Sequence, residues 1–524
     1  MTIETIFNIK KEMILAFLTL IIILSIGIYE RLILLHRPIL YDESYTFIQY
    51  VNSSFWSGVS RYNLPNNHIF HTLLCHISTN VFGNGTLSLR LPVFIFGVAL
   101  IPLTFIFWKR MSNTSTGLIA AGLVATSYRL IHYSTDARGY IIQTFFFLVA
   151  LWLATEVLKK NSRRYWILLS IVIAFAFYTL PTNLYAFGII YFWLLTSALT
   201  KRNRAERNQI LKGSFLSMVV AGILTLLLYT PVIFHYGNLE VLISKTNPQP
   251  FSIVFGKLPN YIDSIITRWN AELPSYFIYF TGLGIILSSF RHLKNSTYKI
   301  PLIAPTIIWP LIAIILTRTL PPFSRIWIFL IPIYLGFISV GLFFIVELVP
   351  NKIKIKKTIS IFIIPLIITF WGSSYSYSVI NKRLHRTTNN ALLMSKALKS
   401  LLKPGDFLAT NGNLMGRLRY YSSLAGKGDY AKLDYWRKTW KWDLKVIQLK
   451  GKGVKSTSPF DSKVYKVYLA MVKDQDLAKM REWLIHFVPE NYKLVQIEHT
   501  NFGRRYLGES KIIELSIVLI DRSL

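Results

Sequence analysis

Residues 13–29 read Met-Ile-Leu-Ala-Phe-Leu-Thr-Leu-Ile-Ile-Ile-Leu-Ser-Ile-Gly-Ile-Tyr, 17 consecutive positions without a charge. A helix rises about 1.5 Å per residue, so about 20 apolar residues cross a hydrocarbon core of about 30 Å. Comparable runs recur through the first 380 residues. Across all 524 residues the chain is 52% apolar and 16% charged, with a mean hydropathy of +0.42. Soluble domains carry about a quarter charged residues. That composition excludes disorder. It also argues against a nucleic-acid partner, despite a formal net charge of +33, because Lys and Arg sit in clusters between the apolar runs. The chain reads as a polytopic α-helical membrane protein.

Eleven spans are expected, near 13–33, 89–108, 117–133, 139–158, 165–180, 184–200, 213–234, 275–290, 300–317, 326–348 and 358–378. Every second connection is basic. The series runs Lys10-Lys11, Lys109-Arg110, Lys159 to Arg164, Lys201 to Arg207, Arg291 to Lys294 and Lys352 to Lys357. The positive-inside rule places these in the cytoplasm and the remaining connections, with the C-terminus, outside. No small-x-small cleavage site follows the first run, so it reads as a retained span. Cys75 is the single cysteine, which excludes an intramolecular disulfide framework.

Two domains are expected. Residues 1–380 form the membrane domain, with long outward connections at 34–88 and 235–274; connections of that length are usually folded or functional. Within the first, residues 66–82 read as an amphipathic helix lying along the membrane surface. Residues 381–524 form an extracytoplasmic α/β domain, with strands at 406–410, 463–472, 492–499 and 511–521 and helices at 390–402 and 474–487. This tail holds 27 Lys+Arg against 13 Asp+Glu, a balance that suits anionic lipid or an anionic acceptor and equally suits a general compositional bias.

Acids are scarce in the first 380 residues, and two groups stand on the outward side. Asp42-Glu43 follows the first span. Asp136 lies between the third and fourth, in Ser134-Thr135-Asp136-Ala137-Arg138-Gly139-Tyr140. A carboxylate among Tyr41, Tyr45, Tyr133 and Tyr140 is expected to be desolvated, which raises its pKa towards the range of a general base. The plainer alternative makes Asp42 a helix cap and Asp136 a turn lock paired with Arg138.

Asp42-Glu43, Asn66-Asn67-His68, Leu89-Arg90-Leu91-Pro92 and Ser134-x-Asp136-x-Arg138-x-Tyr140 occur in this order. With Pro321-Pro322-Phe323-Ser324-Arg325-Ile326-Trp327, they resemble the dolichyl-phosphate-mannose-protein mannosyltransferase-like group. These are GT-C membrane glycosyltransferases, glycosyltransferase family 39 and its bacterial relatives. The likeness is clearest over 30–140. Two departures stand out: Ile69 rather than Pro follows His68, and Asp136 replaces a frequent Glu. The tail has Trp440-Lys441-Trp442-Asp443 rather than the Trp-Trp-Asp of oligosaccharyltransferases.

The resemblance implies a glycosyltransferase of the bacterial cytoplasmic membrane, N-terminus cytoplasmic and C-terminal domain outside. Its donor would be a sugar on a polyprenyl phosphate. The acceptor would be a hydroxyl on protein, lipid or glycan. By the match, Asp42 is the candidate base, Glu43 orients Asp42 or the acceptor, and Asp136 shapes the site. Arg138, Tyr140, His68, Asn67 and Arg325 are the candidate substrate contacts. Arg325, then Arg138, suits a departing phosphate because a guanidinium stays charged and binds two oxygens; a snorkelling anchor is the alternative for Arg325. Arg318 and Arg268 are further outward-facing candidates. No cofactor is required, although a divalent metal using His68 with Asp42 or Asp136 is conceivable. A transporter or flippase, or a polymerase or ligase of a lipid-linked glycan, stands as the competing function.

Overall fold

The computed structural model describes residues 3–62, 66–236, 248–271, 273–294, 300–321, 323–348, 359–386, 391–392, 407–411, 416–421, 433–436, 444–449, 464–471, 492–504 and 509–519. The apolar runs form helices: α1 (Ile3–Leu35), α2 (Tyr41–Thr46), α3 (Phe55–Ser60), α4 (Ile69–Phe82), α5 (Thr86–Met111), α6 (Thr114–Thr126), α7 (Tyr128–Tyr133) and α8 (Tyr140–Lys160). They continue with α9 (Arg163–Thr179), α10 (Leu184–Leu199), α11 (Arg204–Tyr236), α12 (Phe251–Asn270), α13 (Phe277–Lys294), α14 (Ile303–Thr317), α15 (Ile331–Glu347) and α16 (Ile364–Arg386). A 3₁₀ stretch, Ser324–Leu330, leads into α15.

Every expected span coincides with helix. Among the described residues, seven of these, counting the short turns that lead into α10, α15 and α16, are long and apolar enough to cross a membrane. The other four fall on α6, α9, α13 and α14, of 13, 17, 18 and 15 residues. The protein is a multi-pass membrane protein. One expected span is interrupted, because Ser127 adopts an extended conformation and separates α6 from α7.

The chain divides into two compact units, Met1–His36 with Ser53–Ile380 and Arg37–Asn52 with Asn381–Leu524. The boundary near 380 is where the composition changes. The first connection is shared between the units rather than forming one element.

In the first unit, the core runs between α1, α5, α6, α8, α10 and α15, with Leu100, Phe107, Leu123, Ile142, Leu151, Ile189 and Ile338 buried. Phe17, Leu227, Phe234 and Ile367 point outward and exposed, as side chains facing lipid do. Association of helices in lipid rests on packing and on polar ties rather than on hydrophobic burial. Two such ties are plain. The Trp108 indole N–H donates to the Pro332 carbonyl at 3.1 Å, joining α5 to α15. Buried Glu156 of α8 meets Arg110 of α5 at 3.3 Å and Lys160 one turn on at 2.9 Å.

The second unit contains a six-stranded sheet in the order β2-β3-β1-β4-β6-β5. Its strands are β1 (Phe407–Asn411), β2 (Leu433–Trp436), β3 (Leu444–Leu449), β4 (Val464–Met471), β5 (Tyr492–Arg504) and β6 (Glu509–Leu519). Among the described strands only the β1–β4 pair is parallel. The four expected strands are β1, β4, β5 and β6. The pattern missed β2 and β3, of 4 and 6 residues. The expected helix 474–487, nearly all of 390–402, and the stretch 440–443 lie outside the described residues.

Candidate functional site

The turn 134–139 between α7 and α8 carries two of the expected site residues. The Arg138 amide donates to the Asp136 carbonyl at 2.6 Å, which folds the turn tightly. Asp136 is 5% exposed and Arg138 3%. Beyond the turn the Gln143 amide donates to the Gly139 carbonyl at 2.9 Å, and α8 begins.

The second contributor is the start of α4. His68 is its N-cap residue and is 2% exposed. The imidazole Nδ1 accepts the Gly139 N–H at 2.6 Å, joining the two motifs across 71 residues. Glycine is required there, because a Cβ on Gly139 would lie 2.6 Å from the Thr179 methyl and 3.1 Å from the His68 Cβ. Burial holds the His68 pKa well below the usual 6.5, with the charges of Arg138, His71 and Arg325 adding to the shift. The ring is therefore neutral. Since Nδ1 accepts, the proton sits on Nε2. That N–H faces Arg138 Nη2 at 3.4 Å, donor towards donor.

Tyr140 is the hub. Its ring meets His68 edge-on at 5.1 Å and Tyr133 at 5.5 Å. The guanidinium of Arg138 lies 5.4 Å from its centre and that of Arg325 5.6 Å. Arg325, on the 3₁₀ stretch before α15, also stacks on Phe323 at 4.3 Å. The fold thus brings His68, Arg138, Tyr140 and Arg325 together, with Asp136 in the same turn. Asn67 stands beside them but is committed elsewhere. Its amide nitrogen donates to the Gly58 and Arg61 carbonyls at 2.8 and 2.7 Å, and its oxygen accepts the Thr72 hydroxyl at 2.7 Å.

Asp42 and Glu43 belong to the other unit. Both lie in the first turn of α2, where the helix dipole favours anions. Glu43 is fully buried, and its Oε2 accepts the Leu40 N–H at 2.8 Å. The cap of this helix is Glu43, while Asp42 stays partly accessible. The segment is held by a helical turn at 416–421. The Tyr421 hydroxyl accepts the Ile39 N–H at 3.1 Å, and Tyr420 packs edge-on against Phe47 at 5.0 Å.

Among the described residues no three His, Cys, Asp or Glu side chains gather to hold a metal ion. His68 is a poor ligand on its own geometry, with Nδ1 committed to an amide and Nε2 carrying the proton. Arg268 and Arg318 make other contacts. Arg268 donates to the Ser324 hydroxyl at 2.9 Å, and Arg318 lies 5.9 Å from the Phe251 ring.

Three residues were not among the expected site residues. Tyr62 is buried, with its phenol pKa raised by burial and then by the nearby Tyr140. No local signal marks it. Glu30 and Arg31 lie inside the first expected span, 13–33, fully buried. Ionisable residues inside a span are the signal that finds them.

Residues 67–234 match the family model described as dolichyl-phosphate-mannose-protein mannosyltransferase. The matched segment includes His68, Asp136, Arg138 and Tyr140; it leaves out Asp42, Glu43 and Arg325. The apo structure of ArnT from Cupriavidus metallidurans is similar over 95% of this chain and 97% of that one, at 11% identity and a TM-score of 0.54. The structure of the same enzyme bound to undecaprenyl phosphate is similar over the same shares, at 11% identity and a TM-score of 0.53. At this identity the likeness is one of fold alone. No curated protein sequence matches the chain.

Proposed function

We propose, from the GT-C fold and the mannosyltransferase-like segment 67–234, that the protein is an inverting glycosyltransferase. It moves a sugar from a polyprenyl-phosphate donor to a hydroxyl acceptor at the outer face of a bacterial cytoplasmic membrane. The N-terminus is cytoplasmic and the C-terminal domain extracytoplasmic, as the six alternating basic clusters argue. The bound undecaprenyl phosphate of the ArnT structure supports a donor of this kind.

The observation that carries the reading is the convergence of the neutral His68 Nε2–H with the Arg138 and Arg325 guanidinium groups around Tyr140. An anionic oxygen between His68 and Arg138 accepts from both, and turns a donor–donor meeting into two hydrogen bonds. A phosphate leaving group supplies such oxygens.

Asp42 removes the proton of the acceptor hydroxyl. The oxygen attacks the anomeric carbon on the face opposite the phosphate, and the C–O bond to the phosphate breaks with its electron pair. The product has inverted configuration, and the negative charge passes to the polyprenyl phosphate. Arg325 and Arg138 stabilise that charge, which a low-dielectric, preorganised site does far better than water. Asp136 shapes the sugar pocket. Glu43 fixes the start of α2 and so the direction of Asp42. Asn67 holds the loop that presents His68.

Asp42→Asn is expected to lower transfer from a lipid-linked donor on the order of 10²–10⁴-fold, the usual worth of a general base. A rate near wild type sinks the base assignment. For Arg325→Ala, loss of a charge-assisted bond of about 1.5–3 kcal/mol predicts a donor KM roughly 10 to 150 times higher. An unchanged donor affinity refutes that role.

A further inference from the structure

Arg31 is a full charge inside α1, with no exposed surface. A buried guanidinium persists only where its donors are met. Nη1 donates to the Gly27 carbonyl at 2.8 Å in its own helix and to the Ala125 carbonyl at 2.9 Å. Nη2 approaches the Val124 carbonyl at 3.5 Å. Nε donates to the Ser134 hydroxyl at 3.2 Å, and that hydroxyl donates on to the Leu130 carbonyl at 2.5 Å. The carbonyls of 124 and 125 belong to the last turn of α6, where the helix itself supplies no partners. One side chain therefore staples the α6–α7 corner and the first residue of the 134–139 turn. Gly97 of α5 makes room, since a Cβ there would strike the Ser134 side chain. Glu30, the preceding residue, accepts the Ser376 hydroxyl at 2.6 Å.

We infer that Arg31, acting through Ser134, is a positioning residue that holds the Asp136–Arg138 turn in its binding geometry. The inference rests on the transferase reading, in which that turn lines the donor site.

Hydrogen exchange of the full chain in lipid nanodiscs reads the positioning without any assay of transfer. Arg31→Gln is expected to speed exchange over 134–139 at least tenfold, while peptides from the middle of α8 keep wild-type rates. Ser134→Ala, which removes one oxygen, is expected to give a three- to tenfold acceleration, and the double variant to exchange no faster than Arg31→Gln. If Arg31→Gln does not fold, Ser134→Ala decides alone. Unchanged exchange in Ser134→Ala overturns the inference, as do multiplicative effects in the double variant. Binding of polyprenyl phosphate in the same discs is expected to weaken about fivefold in Ser134→Ala, with melting within a few degrees of wild type. A lowered melting temperature with unchanged lipid binding means a purely structural role and overturns it too. A wild-type chain that binds no polyprenyl phosphate overturns the transferase reading instead, and the exchange result still stands.

Discussion

His68 shows how one residue joins two distant motifs. Its Nδ1 bond to the Gly139 amide selects the tautomer that points Nε2–H at Arg138. The same burial makes it a pH sensor of known sign. With the folded pKa well below 6.5, the unfolded chain binds the proton first. His68 therefore contributes stability that is present above about pH 6.5 and lost as the pH falls through the lower folded value. Thermal unfolding followed from pH 8 to pH 5 is expected to show melting that declines below 6.5. His68→Gln, which can still accept the Gly139 amide, is expected to flatten that decline. Asp42 and Glu43 make the complementary point. The adjacent acids were legible as a pair, but which of them caps α2 depends on the extended conformation of Leu40, whose amide reaches Glu43.

Among the elements, the segment 53–68 before α4 shows how polar ties rather than apolar mass set a position. The single amide of Asn67 spans the end of α3, residue 61 and the first turn of α4. A small core of Val59, Tyr62, Ile69, Tyr178, Tyr229 and Val232 packs alongside. Asn67→Ala leaves the partly or fully buried Gly58 and Arg61 carbonyls without this donor, at a cost of about 1–3 kcal/mol. The expected outcome is a lower melting temperature and faster proteolysis between 55 and 66, with weaker donor binding as a consequence. Helix α4 itself was readable from residues 66–82, because its apolar spacing is local; its partners were not, since Gly58 and Tyr229 lie on other elements.

At the scale of the molecule, the acidic segment 37–52 belongs to the same unit as the C-terminal domain. Tyr420→Ala removes the ring that packs on Phe47. It is expected to lower transfer several-fold while the helices of the membrane unit melt as in wild type, a difference that parallel activity and thermal-shift measurements detect. Hydropathy determined the membrane class and the helical state of the expected spans, because the period of a span and the length of an apolar run are local properties of the chain. The ordered motifs named as candidates Asp42, Glu43, Asn67, His68, Asp136, Arg138, Tyr140 and Arg325. Only the tertiary structure decided that His68, Arg138 and Arg325 meet at the Tyr140 ring, with Asp136 in the adjoining turn. It alone decided that Arg31 reaches Ser134 across 103 positions, and that residues 37–52 join the C-terminal domain. The physical reason is that a buried polar group selects its partner by geometry in three dimensions, and nothing in the spacing of one helix records which distant carbonyl will meet it.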